Sequence, residues 1–419
     1  MGSASSMAGV AASRCQAVSG RWVTPRGLAA AAPELQVSIP GASRTRDRGD
    51  ALVFYPALVN AHDHLHLNGL MLPALGRTFR SSYYWIAALL PLHDSPAGAA
   101  YRSLPRSVRV WQGALKNLVA GTTTVLHHDP WQAEFDNPQF PVDVPSNYSW
   151  AHSPLLAGLV HAANAGAATH PLPPEMRYGP SIAESFPSSA SRPWIIHAAE
   201  GTDAESLMEF HALDRAGCVT ADTVLVHGVG LDAAAQDRVL QTGAHLVWCP
   251  ASNLALLGKT LDPERLARAG HLSLGTDSRL SGSRDLLREL RIAARCSRLI
   301  AEELFDLVTV NTARAARLAE SRFLPGAGDY FIATDRGGNA YAQLLELERC
   351  DIRAVVRRGK PAIADPDFAP WFADAAIDTC PVVLDGKLKL CAAALLEPFL
   401  AAGAPDLTGL DSGMEVLPC

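Results

Sequence analysis

The chain has 419 residues, 48% of them hydrophobic and 19% charged, and its mean hydropathy of +0.07 is that of a globular protein able to bury a large core. A formal net charge of −6 without blocks of like charge gives no basic surface for nucleic acid or anionic membrane, and no uncharged apolar run approaches the roughly 18 residues of a spanning helix. The eight cysteines are scattered without a CxxC pair, which fits reduced thiols and a cytoplasmic setting better than a secreted disulfide framework.

Residues 1–6 precede a second methionine, Met7, and read as residues added ahead of a natural start. Residues 7–50 carry weak strand signals, RWVT and LQVSI, and form the first part of a small β-domain. From 51 to 320 the pattern alternates between β-type apolar runs and helices. The runs cover 52–64, 122–129, 155–163, 194–200, 223–230, 244–250 and 271–278; helices are predicted at 106–119, 203–216, 232–241, 284–300 and 302–318. Nearly continuous apolar strands separated by helices indicate a parallel sheet covered on both faces. With an eighth strand in the Pro-rich stretch 170–193 they would close a (β/α)8 barrel. An open doubly wound sheet is the alternative, but no GxGxxG follows a first strand. Residues 321–370 return to short strands that could pair with the N-terminal arm, and 371–419 read as a helical tail.

The chemistry sits at the ends of the apolar runs, where such a barrel displays its active site. In NAHDHLH, His62 and His64 are two apart on a strand and share a face, an arrangement suited to a divalent transition metal. His66 would share that face if the strand continued. His197 and Glu200 follow WII, His227 ends VLVH, and Asp277 ends LSLGTD. Each alone has a bland reading, as a buried histidine, a solvated Glu or a capping Asp; together at successive strand ends they indicate a metal site.

The order PALVNAHDHLH, GTTTV, IIHAAE, VLVHG, CPASN and LGTDS resembles the amidohydrolase superfamily, in the branch of cytosine and guanine deaminases and triazine hydrolases. The resemblance implies an α/β fold, a distorted TIM (β/α)8 barrel beside a small β-sandwich, here partly reduced, built from the N- and C-terminal segments. It also implies one divalent metal ion, zinc first and iron second. By motif, His62, His64, His197 and Asp277 would ligate the metal, Glu200 would shuttle protons, and His227 would orient or polarise the substrate. The run 155–163 contains no lysine able to bridge two metals, so a mononuclear site is expected. Metal-activated water would attack an amide-like or amidine-like carbon, Asp277 taking the water proton and Glu200 protonating the leaving nitrogen.

Substrate contacts are expected from His128, Trp85, Trp131, Asn253 and Ser278. His127 and Asp129 could bind substrate or serve as structural hydrogen-bonding groups, and Ser252 could line the pocket. The aromatic groups Tyr83, Tyr84, Trp85 and Trp131 would suit a flat heterocycle or a hydrophobic peptide side chain. The leading expectation is hydrolysis of an amide or amidine in a small molecule or short peptide, as in trimming a peptide-derived natural product. A deaminase of an aminated heterocycle is the second reading, and a barrel that only binds is the third, disfavoured by the full set of acid and ligands. Family members are often dimers, so a homodimer is also implied.

Overall fold

A computed structural model describes residues 16–26, 35–39, 51–70, 75–93, 95–156, 159, 178–186, 192–402 and 413–417. The apolar run 52–64 is two strands. After β1 (Gln16–Trp22) and β2 (Leu35–Ile39), β3 (Leu52–Pro56) pairs with β1 and ends at a proline, which has no N–H to continue a ladder. β4 (Leu58–Asp63) then changes partner, its first amide bonding Gly121 O at 2.9 Å, and runs parallel to β5 (Thr122–His127).

A five-stranded parallel sheet follows, made of β6 (Ser149–Ala151), β7 (Trp194–Ala198), β8 (Thr223–His227), β9 (His245–Trp248) and β10 (Leu272–Leu274), in that order. Every residue of β4, β5 and β7 to β10 is buried, which is why these strands read as apolar runs without alternation. Single parallel bridges join Asp63 of β4 to Asp277, three residues past β10, and Thr124 of β5 to Asp143, in the segment before β6.

The strand expected at 155–163 falls largely outside the described residues; its described start lies in a turn over 154–156, and the sheet's strand in this region is β6, just before it. The one expected in 170–193 falls largely outside the described residues; its described part, 178–186, holds the short helix Ile182–Ser185. Between strands, helices Arg106–Leu118, Ala204–Arg215, Ala233–Thr242 and Leu286–Cys296 pack outside the sheet. Asp203, Asp232 and Asp285 cap the last three by accepting the amide three residues on. The helix expected over 302–318 is two, Ala301–Leu307 and Val310–Ala316, with Thr309 non-helical between them.

The terminal segments are hydrogen-bonded into one nine-stranded mixed sheet. Its C-terminal members are β11 (Tyr330–Thr334), β12 (Ile352–Arg357), β13 (Lys360–Ala364), β14 (Thr379–Leu384), β15 (Lys387–Ala392) and β16 (Met414–Val416), and its order is β16-β14-β15-β13-β12-β11-β3-β1-β2. Residues 379–392, expected within a helical tail, are therefore an antiparallel hairpin; burial alternates along β14, as a sheet with one packed face requires. Cys218, Cys249, Cys296, Cys350 and Cys391 are free, whereas Cys380 is disulfide-bonded, a departure from the expectation of reduced thiols throughout. Among the described residues no helix is long and apolar enough to cross a membrane.

Candidate metal centre and active site

The C-terminal ends of β4, β7, β8 and β10 converge on one point. Two of the converging residues, His227 (φ 76°) and Asp277 (φ 62°), are left-handed without being glycine, as is Ala199 (φ 53°) between His197 and Glu200. Such backbone costs about 1–3 kcal/mol per residue and persists where the surroundings enforce it. Here Asp277 N donates to His62 O at 3.0 Å and Asp277 O accepts from His64 N at 2.7 Å, locking the β10 end against the His62-Asp63-His64 segment. Gly275 permits that approach: a Cβ there would stand 2.7 Å from His62 Cβ.

His62 Nε2 lies 3.2 Å from His197 Nε2 and 3.4 Å from Asp277 Oδ1, and His64 Nε2 lies 3.6 Å from the same oxygen. Hydrogen bonds on the far side of two rings decide which nitrogen faces inward. His197 Nδ1 donates to His152 O at 2.8 Å and His64 Nδ1 donates to Asp129 Oδ2 at 2.7 Å, so both turn Nε2 to the centre. Burial lowers His62 to about 4 and lowers His197 as well, so both rings are held neutral. Burial would also lower His64, but Asp129 and Asp277 outweigh it and hold the ring up at about 9, so this corner of the site favours positive charge. Two overlapping groups, His62 with His64 and Asp277 and His62 with His197 and His227, bring imidazole nitrogens and a carboxylate oxygen close enough together to hold a divalent cation of the zinc type.

Asp277 is held ionised. Burial would raise its carboxyl, but the His62 hydrogen bond and the His227, His62 and His64 rings bring it well below the usual range. Its Oδ2 accepts from Ser252 Oγ at 2.7 Å and Ser281 Oγ at 2.5 Å, which leaves Oδ1 facing the imidazoles. Glu200 is the opposite case, its carboxyl raised by burial. It lies 3.5 Å from His227 Nε2, and His227 Nδ1 donates to Asn253 Oδ1 at 2.9 Å. Thr260 Oγ1 accepts from Asn253 Nδ2 at 3.2 Å, fixing which end of the amide meets the ring.

The other expected contacts divide. Asn253 and Ser252 touch site residues, but as supports of His227 and Asp277. His128 is fully buried, its Nε2 bonded to Ala151 O at 2.8 Å and its ring stacked 4.2 Å from that of His197; it packs beneath a ligand ring and is not open to substrate. Ser278 Oγ meets Ser281 Oγ at 3.5 Å, so it supports the serine that holds Asp277. Trp131 is 45% exposed, its Nε1 bonded to Asp136 at 3.2 Å, and no contact brings it to the centre. Trp85 is half-buried near the start of helix Ser82–His93, beside the Glu200 segment, where Ser82 N donates to Glu200 O at 3.0 Å. Asp129 is structural for His64 and also accepts from Tyr178 Oη, while His66 Nδ1 lies 3.3 Å from it and His127 Nδ1 accepts from Leu65 N at 3.2 Å.

Three supports were not anticipated from sequence. Glu209, on the buried face of helix Ala204–Arg215, accepts from Ala199 N at 3.0 Å and from Tyr83 Oη. His152 supplies the carbonyl that orients His197. Beneath the centre, Asp63 is held by Asn68 Nδ2 at 2.7 Å and Asn117 Nδ2 at 2.9 Å, and lies 3.4 Å from the buried Lys116 amine. The burial of Glu209 had a faint signal, its position one before Phe210 and four before Leu213 on one helical face.

No protein-family model matches the chain. A 5-methylthioadenosine/S-adenosylhomocysteine deaminase of Archaeoglobus fulgidus is 34% identical over 115 residues, 25% of this chain and 27% of that protein. The corresponding deaminase of Haloarcula marismortui is 31% identical over 137 residues, 32% of this chain and 31% of that protein. The match thus spans about a third or less of these curated relatives' length. Solved structures align over far more. An adenosine deaminase from Xanthomonas campestris with bound zinc has a TM-score of 0.56 at 19% identity, covering 86% of this chain and 96% of that one. A variant atrazine chlorohydrolase from Arthrobacter aurescens, complexed with zinc and atraton, has a TM-score of 0.60 at 17% identity, covering 84% and 95%. The chain thus shares the fold of these two zinc-bound enzymes over most of its length, and a stretch of about a third or less with the curated deaminases.

Proposed function

We propose that the protein is a hydrolytic deaminase, holding one zinc ion in His62, His64, His197 and Asp277 and removing the amino group of a small nitrogen heterocycle of the purine type. The observation that carries this reading is an ionised Asp277 and a buried, raised Glu200 set against one cluster of buried imidazoles, Glu200 lying 3.5 Å from His227. Deaminases among the relatives support it; trimming of a peptide-derived product, the leading expectation from sequence, finds no support among them. The reading includes a closed, distorted (β/α)8 barrel over 51–320, supported by the Asp63–Asp277 and Thr124–Asp143 bridges.

When bound, the metal supplies Lewis acidity that brings the pKa of water from about 15.7 to near 7. Asp277 Oδ1 accepts the proton of the attacking water while Ser252 and Ser281 keep the carboxylate from turning. His227, fixed by Asn253, keeps Nε2 toward Glu200 and steadies charge on the attacked ring. Glu200, its carboxyl raised by burial, donates a proton to the leaving nitrogen, which departs as ammonia. Ammonia release from adenosine, methylthioadenosine, S-adenosylhomocysteine, cytosine, guanine and an aminotriazine tests the proposal. Release from one ring class upholds it; no ammonia from any, with cleavage of peptide amides by the metal-loaded protein, contradicts it.

A further inference from the structure

A cavity of about 660 Å³ lies between helix Pro250–Leu257, the loop 279–284 and helix Leu286–Cys296. Its volume is in the range of small-ligand pockets, about 300–1,000 Å³. Four arginines, Arg279, Arg284, Arg288 and Arg295, line it with Ser281 and Ser283, and no carboxylate does. In a chain of net charge −6 this concentration of one sign is not a sample of the average surface.

Arg288 and Arg295 are seven residues apart on one helix, hence two turns apart on one face, and both are exposed. Among the described residues neither has a carboxylate at ion-pair distance. Arg284 differs: it is held by Asp285 at 3.2 Å, Asp385 at 3.1 Å and Glu348 at 3.5 Å, so it forms a fixed wall with much of its charge answered. The loop links the cavity to the metal centre, because Ser281 lines the cavity and donates to Asp277 Oδ2 at 2.5 Å.

We infer that this cleft is an oxyanion site, built for a phosphate group, with Arg288 and Arg295 as its principal cationic donors. Guanidinium forks match phosphate oxygens two at a time, and the absence of a lining carboxylate removes the usual competitor for them. The anion would be free phosphate or the phosphate of an organic ester, and its nearness to Ser281 places it beside, rather than within, the metal site.

Calorimetric titration of the intact protein with inorganic phosphate, and separately with phenyl phosphate, tests the inference without reference to turnover. Saturable binding is expected, with Kd raised at least tenfold in Arg288→Ala/Arg295→Ala and likewise in Ile292→Asp, which keeps both arginines but puts a carboxylate in the cleft. Tighter binding of the ester would assign the group to an organic ligand, and tighter binding of phosphate to a free ion; either upholds the site. No binding to wild type, or equal binding to the folded variants, as an anion held at the metal centre would give, overturns it.

Discussion

His64 Nδ1 donates to Asp129 Oδ2 at 2.7 Å, and that bond turns Nε2 of the same ring to within 3.6 Å of Asp277 Oδ1. Asp129 therefore orients His64 toward the candidate metal centre without facing it. Carboxylates that orient a ligand histidine are worth about 10–100-fold in metal affinity. Asp129→Ala is expected to weaken zinc retention by that amount in a chelator competition, and unchanged retention would remove the orienting role.

Glu200→Gln keeps the size of the side chain and removes the proton it gives. Metal content is expected to stay at the wild-type level while kcat falls by about 10²–10⁴-fold, the range of a general acid. A Glu200→Gln enzyme with near wild-type turnover would end the proton-transfer account.

Asn253 fixes the tautomer of His227 through a bond of 2.9 Å. In Asn253→Leu the ring loses that partner, and kcat is expected to drop by about 10²-fold with zinc retained, since misplacing a reacting group costs on that order. A drop in metal content equal to the drop in rate would instead make Asn253 a support of the whole site.

Glu209 and Glu289 are both raised by burial from 4.5 to about 8. Each keeps its proton in the folded chain over a range where the unfolded chain has released it. Their contribution to stability is therefore complete below about pH 4.5 and is lost as pH rises through about 8. Glu209→Gln, which titrates nowhere in this window, is expected to show a smaller fall of Tm between about pH 5 and pH 8 than wild type. Parallel Tm curves for the two proteins would show that the buried carboxyl does not govern the slope.

Lys116 and Asp63 are both fully buried, 3.4 Å apart beneath the His62 and His64 segment. Lys116→Met leaves Asp63 uncompensated and is expected to cost about 3–5 kcal/mol in urea unfolding. Adding Asp63→Asn is expected to recover part of that loss; additive losses in the double variant would contradict the pairing.

The residues of the candidate site were legible because each ends an apolar run, and a buried parallel strand announces itself by that run. His62, His64, His197, His227 and Asp277 needed no long-range contact to be singled out. Their supports were hidden because they come from other elements and join only in the folded chain: Asp129 from the β5 loop, His152 after β6, Glu209 and Lys116 from helices where each looks like a solvated charge. Trp131 misled for the reverse reason, as an aromatic beside a strand end whose ring packs on Phe135 at the surface. The fold was read where strands are long and buried. It missed β6, a strand of only three residues, and it misread β15, whose residues run on into the Ala- and Leu-rich stretch after Cys391 that has a helical composition.

The central claim is that His62, His64, His197 and Asp277 hold one metal ion. Elemental mass spectrometry of purified protein, wild type beside His62→Ala/His64→Ala, tests it most directly. The expected result is close to one zinc per chain in wild type and little in the variant. No transition metal in wild type after reconstitution, or equal metal in the folded variant, would contradict it.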